Sequence, residues 1–275
     1  MTDRLDGIVL GTGHNALVLQ AYLCRAGLRV LSVDRAETPG GGLATVENPR
    51  HRGFLHNTHS FFHRAITAMP WYVDLELERH GAGYIEPELN VAMICPDGRV
   101  LKWWRDLDRT LESVATISPR DADVLAGWIE RFEPIVDRLL VPEASSPPLP
   151  PELRRERLEQ TAEGRLLLEV SASSPLEFVR SEFDDPTVRA GLLFFNGLRE
   201  VDLRLPGFGH SIPALLAGRH KAQMCVGGSA RLAEALVADI VEHGGEVLCG
   251  VEIEGILVER DRATGLALAD GQRIE

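Results

Sequence analysis

The chain has 275 residues, of which 44% are hydrophobic and 25% charged, and this composition is ordinary for a globular protein with an ample core. Its formal net charge of −12 argues against nucleic acid and anionic membrane surfaces as general partners. No stretch reaches the length of an integral membrane segment, and the first predicted strand starts too early for a signal peptide. The four cysteines are scattered without a Cys-x-x-Cys pair, so we expect reduced thiols in a cytoplasmic protein.

The N-terminal residues predict a strand, a glycine turn, a helix and a second strand that ends in a carboxylate. Gly11 permits a tight turn, Gly13 lets the backbone approach a pyrophosphate, and Ala16 allows the helix to pack against the strand. The helix N-terminus offers N–H groups and a positive dipole end to the diphosphate. Asp34 is placed to accept hydrogen bonds from a ribose and to repel a 2′-phosphate. The pattern therefore predicts binding of FAD or NAD rather than NADP.

A run of three glycines, Gly40, Gly41 and Gly42, follows this carboxylate closely. Such a run cannot form a strand or a stable helix interior. Taken alone, it fits a flexible surface loop as well as a second backbone-lined cradle. Its position just after Asp34 favours a cradle for the phosphates and ribityl chain of a flavin.

Three histidines, His56, His59 and His63, fall within eight residues, with aromatic residues between them. At helical spacing the three would share one face, which raises the alternative of a metal site. No carboxylate lies at a ligand spacing beside them, so we predict no metal. We expect instead that His56 and His59 line the active site as pocket-lining or proton-handling groups, and that at least one of the three packs in the core.

The rest of the chain predicts a mainly helical middle and a return to an α/β pattern near residue 222. Five prolines between Pro142 and Pro151 predict a loop that reorients helices. The last residues resemble an unfinished strand. The other predicted elements, in chain order, are a short helix over Asp74–His80 that stops at Gly81, a hairpin over residues 90–104 with a Pro-Asp-Gly turn, helices in residues 107–140, a capping box from Ser174 to Glu177, a helix after Gly227–Gly228, and one strand over residues 246–260.

As an ordered set, these motifs resemble the phytoene desaturase-related branch of the FAD-dependent amine oxidase superfamily. The most similar pattern is that of the pyridine nucleotide-disulfide oxidoreductase domain-containing protein 2 group, which does not depend on a disulfide. The motifs that carry the resemblance are Gly11–Leu17, Gly40–Glu47, Gly53–Phe54, Asp74–Gly81, the Asp97–Gly98 hairpin turn, Pro206–Gly207, Gly227–Gly228 and the strand around Val251.

The resemblance implies an α/β fold with a discontinuous, Rossmann-like FAD-binding domain in residues 1–65 and 222–275. A mainly helical substrate domain, residues 66–221, would be inserted between its two parts. The implied FAD contacts are Gly11, Gly13, His14, Asn15, Ala16, Asp34 and Arg35 for the ADP part, Gly41, Gly42 and Leu43 for the diphosphate and ribityl chain, and the backbone of Val251 for the adenine.

The resemblance also implies flavin-dependent oxidation of a small apolar, often polyene, or amine-type substrate, with hydride transfer to the flavin. Such chemistry needs no catalytic triad, and we find none. The alternatives are an NAD-dependent dehydrogenase and a non-catalytic, dinucleotide-binding assembly subunit. Relatives in this family are about twice as long, so either the chain is a fragment or a second polypeptide supplies the remaining half in a hetero-oligomer.

Overall fold

The computed structural model describes residues 5–197, 202–218 and 222–275. Its internal contacts divide the chain into two units, Met1–Pro87 with Ala222–Glu275, and Glu88–Lys221. The boundary at residue 222 coincides with the predicted one. Residues 66–87, assigned above to the substrate region, pack in the first unit, because Tyr72 and Leu75 are buried in its core. The assignment of a cofactor domain and a substrate domain stays a prediction.

The two units contain strands and helices in the following order. The strands are β1 (Gly7–Leu10), β2 (Val30–Val33), β3 (Thr45–Glu47), β4 (Leu55–Asn57), β5 (His63–Arg64), β6 (Tyr84–Ile85), β7 (Leu89–Ile94), β8 (Val100–Trp104), β9 (Ala222–Cys225), β10 (Glu246–Leu248), β11 (Ile253–Glu259), β12 (Arg262–Leu268) and β13 (Arg273–Ile274). The α-helices are α1 (His14–Arg25), α2 (Pro70–Asp74), α3 (Leu107–Ala115), α4 (Pro119–Ile135), α5 (Val141–Ala144), α6 (Pro151–Glu159), α7 (Ala162–Ser171), α8 (Pro175–Glu182), α9 (Pro186–Gly197), α10 (Ser211–Ala217) and α11 (Ala230–Glu242).

Parallel strands in the order β1–β2–β10 form the central sheet of the first unit. Helices α1 and α11 pack together, and the fully buried Leu17 and Leu236 belong to their shared core. Gln20 of α1 is also buried, and its amide donates to the carbonyl oxygens of Val30 (2.9 Å) and Glu246 (2.8 Å), on two neighbouring strands. Parallel strands joined by helical crossovers are the Rossmann-like α/β fold, which confirms the predicted fold class.

The other face of this sheet packs on an antiparallel sheet in the order β11–β12–β13. Because successive strand residues point to opposite faces, Leu31 and Val33 of β2 join Leu266 and Leu268 of β12 in a second small core. The prediction of one strand over residues 246–260 is wrong. Strand β10 ends at Leu248, the chain turns at Gly250 with a φ of +71°, and it resumes as β11 in the other sheet.

The helix predicted over Asp74–His80 is also displaced. Helix α2 begins at Pro70, whose fixed φ suits the first helical turn, and ends at Asp74. Glu76 has a φ of +52°, which a continuing α-helix does not allow. Gly81 does not end a helix, but with a φ of +98° it turns the chain towards β6.

The second unit has one hairpin, β7–β8, beside its helices. The hairpin has the predicted Pro-Asp-Gly turn, in which Gly98 has a φ of +85°. Of the adjacent tryptophans, Trp103 is buried in the core, and the guanidinium of Arg109 lies 3.5 Å from the ring centre of Trp104. The capping box from Ser174 to Glu177 is confirmed at the start of α8. In the part of the chain that the structure describes, no helix is long and apolar enough to cross a membrane.

The proline-rich stretch after α4 is partly helical. A π-helical turn, Val136–Leu140, continues α4 and leads into α5. Pro142 lacks an N–H and crowds the carbonyl four residues earlier, which accounts for the widened turn. The loop predicted over Pro142–Pro151 is therefore shorter, between the end of α5 and the start of α6 at Pro151.

Candidate functional site

The carboxylate of Asp34 is held at the end of β2 by donors from two segments. One oxygen, Oδ2, accepts hydrogen bonds from the backbone N–H of Thr12 (2.7 Å) and from its hydroxyl (2.9 Å). The other, Oδ1, accepts from the N–H of Ala36 (2.9 Å). Burial raises the pKa of Asp34. These donors and the nearby charge of Arg35 together lower it by more, so the pKa lies below its ordinary value. The acid is therefore fixed and ionised beside the glycine turn.

The two glycine segments form one backbone cradle. Gly11 leaves β1 with a φ of +98°, and Gly13 precedes the first residue of α1. The N–H of Gly40 donates to the carbonyl of Thr12 (2.7 Å), which brings the glycine run alongside this turn. A Cβ added to Gly41 would lie 3.2 Å from the Cα of Gly13. Because Gly41 also has a φ of +58°, a residue with a side chain at this position would strain the close approach of the two segments.

The N-terminus of α1 has features that suit an anion. Gly13 is the N-cap, no side chain caps the helix within the described residues, and its first turn has no acidic residue. His14 and Asn15 follow at the helix start, and the structure leaves their side chains partly or fully exposed. Ala16 is half-buried and small, as packing of this helix requires. An uncapped helix N-terminus can bind phosphate through its N–H groups and its dipole.

The segment after β10 closes the same region from a distant part of the sequence. The N–H of Asp34 donates to the carbonyl of Leu248 (2.9 Å), and the N–H of Val251 donates to the carbonyl of Asp34 (3.0 Å). Val251 thus lies next to the predicted ribose acid. Because its N–H is already used, the predicted adenine contact of Val251 would have to be made by its carbonyl oxygen.

The remaining predicted cofactor contacts, Gly42, Arg35 and Leu43, have different surroundings. Gly42 has open space where a Cβ would be, and Arg35 is exposed. The side chain of Leu43 is buried in the core between α1 and α11, and its N–H donates to the carbonyl of Gly40 (3.0 Å). The structure therefore brings all eleven predicted cofactor-binding residues into one unit. Their roles stay predictions.

A set of contacts at the start of α11 was not expected from the sequence. The side-chain oxygen of Asn57 accepts from the N–H (3.0 Å) and hydroxyl (3.1 Å) of Ser229 and from the hydroxyl of Thr45 (2.8 Å). The Thr45 hydroxyl in turn accepts from the N–H of Ala230 (3.0 Å). The β3–β4 hairpin is thereby fixed to the helix N-terminus. The signal in the sequence is weak, because the partners are 172 residues apart.

The three histidines do not share a helical face, because the chain is extended in β4 and β5. His56 is exposed, 3.3 Å from the amide nitrogen of Asn48. His59 is also exposed, and its Nδ1 lies 2.9 Å from the hydroxyl of Thr58. His63 is buried, as expected of at least one of the three. An active-site role for His56 and His59 stays a prediction.

His63 begins a short chain of polar side chains inside the first unit. Its Nδ1 lies 2.8 Å from the hydroxyl of Tyr84, whose cross-strand neighbour is Cys225. The other ring nitrogen of His63, Nε2, is buried and has no hydrogen-bond partner among the described residues. Sequence reasoning did not single out Tyr84 or Cys225, because their strands meet only in the folded chain.

These observations test whether a dinucleotide suits this region. The two glycine segments approach closely at Gly41, the Asp34 carboxylate has a lowered pKa, and an uncapped helix N-terminus lies beside both. The residues present therefore fit a dinucleotide cofactor with a ribose and a diphosphate.

Comparisons with known proteins agree with this geometry. Residues 9–70 match the model of an NAD(P)-binding Rossmann-like domain. Over 97% of its length, the chain is 31% identical to a limonene dehydrogenase subunit of Castellaniella defragrans, of which it covers 48%. It is 24% identical to the mouse (Mus musculus) pyridine nucleotide-disulfide oxidoreductase domain-containing protein 2, aligning over its whole length and covering 52% of that protein. The chain thus spans about half the length of the curated relatives it matches.

A solved structure shares the fold. A triple mutant of putrescine oxidase superposes with a TM-score of 0.61 at 15% sequence identity, over 98% of this chain and 56% of that one. The two relatives bear out the predicted resemblance to this group of oxidoreductases, and the likeness to putrescine oxidase, at 15% identity, shows a shared fold.

Proposed function

We propose that this chain binds FAD and forms part of an FAD-dependent oxidoreductase. The observation that carries the proposal is the double glycine cradle, in which a Cβ on Gly41 would lie 3.2 Å from the Cα of Gly13. A plain NAD-binding turn needs only the first glycine segment. A second segment bonded to the first through Gly40 and Thr12 favours the longer flavin dinucleotide.

In this proposal each group of residues has a separate task. The carboxylate of Asp34 accepts hydrogen bonds from the adenosine ribose, and the carbonyl of Val251 contacts the adenine. The N–H groups at the start of α1 and the backbone of Gly41 and Gly42 face the diphosphate. A bound flavin supplies the hydride acceptor. A proton lost from the substrate passes to a protein group, for which His56 and His59 are our candidates.

The proposed substrate is a small apolar molecule. The support is the 31% identity to a protein named as a limonene dehydrogenase subunit, whereas the likeness to putrescine oxidase lies at 15% identity and concerns the fold. Because that relative is named as a subunit, it also supports a hetero-oligomer in which a second polypeptide completes the enzyme. We further propose a cytoplasmic location, because the described cysteines are all free thiols.

Absorbance of the purified protein tests the proposal. We expect a flavin band that bleaches under anaerobic conditions on addition of limonene, a probe of the apolar class, and not on addition of putrescine, a probe of the amine class. Bleaching by putrescine and not by limonene would show that the substrate is an amine rather than an apolar molecule. A folded, flavin-free protein that binds NAD⁺ would favour the NAD-dependent alternative, and one that binds no dinucleotide would favour an assembly subunit.

A further inference from the structure

Helix α11 packs directly against the second glycine segment, Gly40–Gly42. A Cβ added to Gly40 would lie 2.7 Å from the Cβ of Ala233 and 3.2 Å from the carbonyl oxygen of Leu43. The first distance is well below the roughly 3.5–4.0 Å at which carbon atoms make favourable contact. Ala233 is 1% exposed, so it has little room to move away. The start of the glycine segment therefore lies as close to α11 as a backbone without side chains allows.

The chain that follows the glycine segment is fixed to the same helix through Thr45. Its hydroxyl accepts a hydrogen bond from the N–H of Ala230 (3.0 Å) and donates one to the side-chain oxygen of Asn57 (2.8 Å). A Cβ added to Gly228, which has a φ of +103°, would lie 2.5 Å from Cγ2 of Thr45. Thr45 therefore uses both its hydroxyl and its methyl group to hold the chain at the beginning of α11.

The glycines assigned to the cofactor lie between these two contacts with α11. Towards the first glycine segment, the N–H of Gly40 donates to the carbonyl of Thr12 (2.7 Å), and Gly41 closely approaches Gly13. The second glycine segment thus contacts α11 and the first glycine segment at the same time. The position of its backbone depends on both.

This support matters because glycines hold no fixed conformation by themselves. A run of three glycines loses more backbone entropy on ordering than other residues do. A cradle of backbone groups binds a ligand more tightly when it is ordered before the ligand arrives. The contacts at Gly40 and Thr45 supply this order from a distant part of the chain, since Ala230 lies 185 residues after Thr45.

We propose that Ala233 and Thr45 are positioning residues, which set the distance between the two glycine segments and thereby the affinity for the flavin half of FAD. The inference rests on the proposed FAD binding, and neither residue belongs to the predicted cofactor contacts. Both act through the backbone of Gly40–Gly42. They leave Asp34 and Val251, to which the proposed function assigns the adenosine half, unaffected.

A larger side chain at residue 233 tests the contact with Gly40. Ala233→Val adds two methyl groups at the place of closest approach, whereas Ala238→Val makes the same change at an exposed residue of the same helix. We expect Ala233→Val to bind FAD about tenfold more weakly, because overpacking displaces the glycine segment. It should bind AMP, a probe of the adenosine half, within about threefold of the wild type. The control Ala238→Val should bind both ligands as the wild type does.

Two substitutions of Thr45 test the other contact with little change in shape. Thr45→Val keeps the methyl packing and removes the hydroxyl, whereas Thr45→Ser keeps the hydroxyl. We expect Thr45→Val to bind FAD about fivefold more weakly with its AMP affinity unchanged, and Thr45→Ser to recover most of the FAD affinity. Thr264→Val, at an exposed threonine of β12, is the matched control and should leave both affinities unchanged. This pair keeps the test decisive if Ala233→Val does not fold.

Calorimetry gives the FAD affinities, NMR titration gives the weaker AMP affinities, and thermal unfolding without ligand shows which variants fold. The inference predicts a loss of FAD affinity at constant AMP affinity. Parallel losses for both ligands would show that the substitutions disturb the whole unit, and unchanged FAD affinity in folded Ala233→Val or Thr45→Val would show that α11 does not position the glycines. Either result would overturn the inference although the wild type binds FAD. A wild-type chain that binds no FAD would instead overturn the proposed function.

Discussion

At the level of single residues, Thr12 determines how Asp34 presents its carboxylate. Thr12 is fully buried and donates to Oδ2 twice, through its N–H and its hydroxyl. The backbone bond is available to any residue at this position, whereas the hydroxyl bond requires Ser or Thr. A substitution that removes only the hydroxyl therefore isolates one donor.

We predict that Thr12→Val weakens FAD binding by about 1 kcal/mol, the usual contribution of one hydrogen bond. The change also affects the response to acid. The folded pKa of Asp34 lies below its ordinary value of 3.8, so its stabilising contribution is present above that value and is lost as pH falls through the folded pKa. With one donor removed, the folded pKa rises towards the ordinary value, so the loss of stability in acid becomes smaller and is complete at a higher pH.

Unfolding by denaturant between about pH 2 and pH 6 measures this shift. Thr264→Val, at an exposed threonine of β12, is the matched control and should leave the pH profile unchanged. An identical profile and affinity in Thr12→Val would show that the hydroxyl bond does not support the site.

We predict that His59→Ala retains FAD and lowers turnover by about 10²-fold, as expected of a lost proton-handling group. Its side chain is exposed and bonds the neighbouring Thr58, so its removal should not disturb folding. Steady-state kinetics with the flavin content measured in parallel checks the result. His51→Ala, at another exposed histidine of the same segment, is the control. Unchanged kinetics in His59→Ala would remove this residue from the site.

At the level of secondary-structure elements, the contact between the two glycine segments is the feature on which the proposed cofactor site depends. Gly41 has a φ of +58°, and a Cβ there would meet the Cα of Gly13. The space beside Gly42 is open instead. These neighbouring glycines therefore respond differently to the same substitution.

We predict that Gly41→Ala weakens FAD binding more than tenfold, because it strains the backbone and pushes the start of α1 from the glycine run. Gly42→Ala should fold as stably as the wild type, so any loss of FAD affinity in it reports a cofactor at this position. Gly127→Ala, in the middle of α4 with open space for a Cβ, controls for the substitution itself. Isothermal calorimetry gives the affinities. Wild-type affinity in Gly41→Ala would contradict the cradle.

Asn57 joins the β3–β4 hairpin to α11, and its replacement tests that connection. Its side-chain oxygen accepts three hydrogen bonds. We predict that Asn57→Ala lowers the free energy of unfolding by about 2 kcal/mol, because buried donors lose their acceptor. Asn57→Asp keeps the acceptor and adds a negative charge at a helix N-terminus, so it should retain most of the stability. Denaturant unfolding compares the variants, and equal losses in both would refute the acceptor role.

Local patterns and distant contacts differ in how far the sequence reveals them. The β1–α1–β2 unit was predictable because its periodicity, its glycines and Asp34 lie within one short stretch. The break near Gly250 could not be predicted, because alternating residues continue across it. Only the pairing of β10 with β2 shows where the strand ends. The bond from the N–H of Val251 to Asp34 depends on the same pairing and escaped prediction for the same reason.

At the level of the whole molecule, the first unit is built from both ends of the sequence. Strand β10 lies beside β2, and α11 packs on α1, so the N-terminal motif is completed only by residues beyond 222. The sequence predicted this discontinuity through a resemblance of ordered motifs rather than through periodicity. Residues 66–87 pack in the first unit, and their sequence did not indicate this because their helix is short and their burial against α1 and α11 depends on tertiary packing.

The proposed preference for FAD follows from this whole arrangement, and calorimetric titration of the purified protein with FAD, NAD⁺ and NADP⁺ tests it. We expect FAD to bind one to one and more tightly than NAD⁺, because the proposal assigns the second glycine segment to the diphosphate and ribityl chain of the flavin dinucleotide. NADP⁺ should bind most weakly, because Asp34 repels its 2′-phosphate. Tighter binding of NAD⁺ than of FAD, or a folded protein that binds none of the three, would contradict the proposed function.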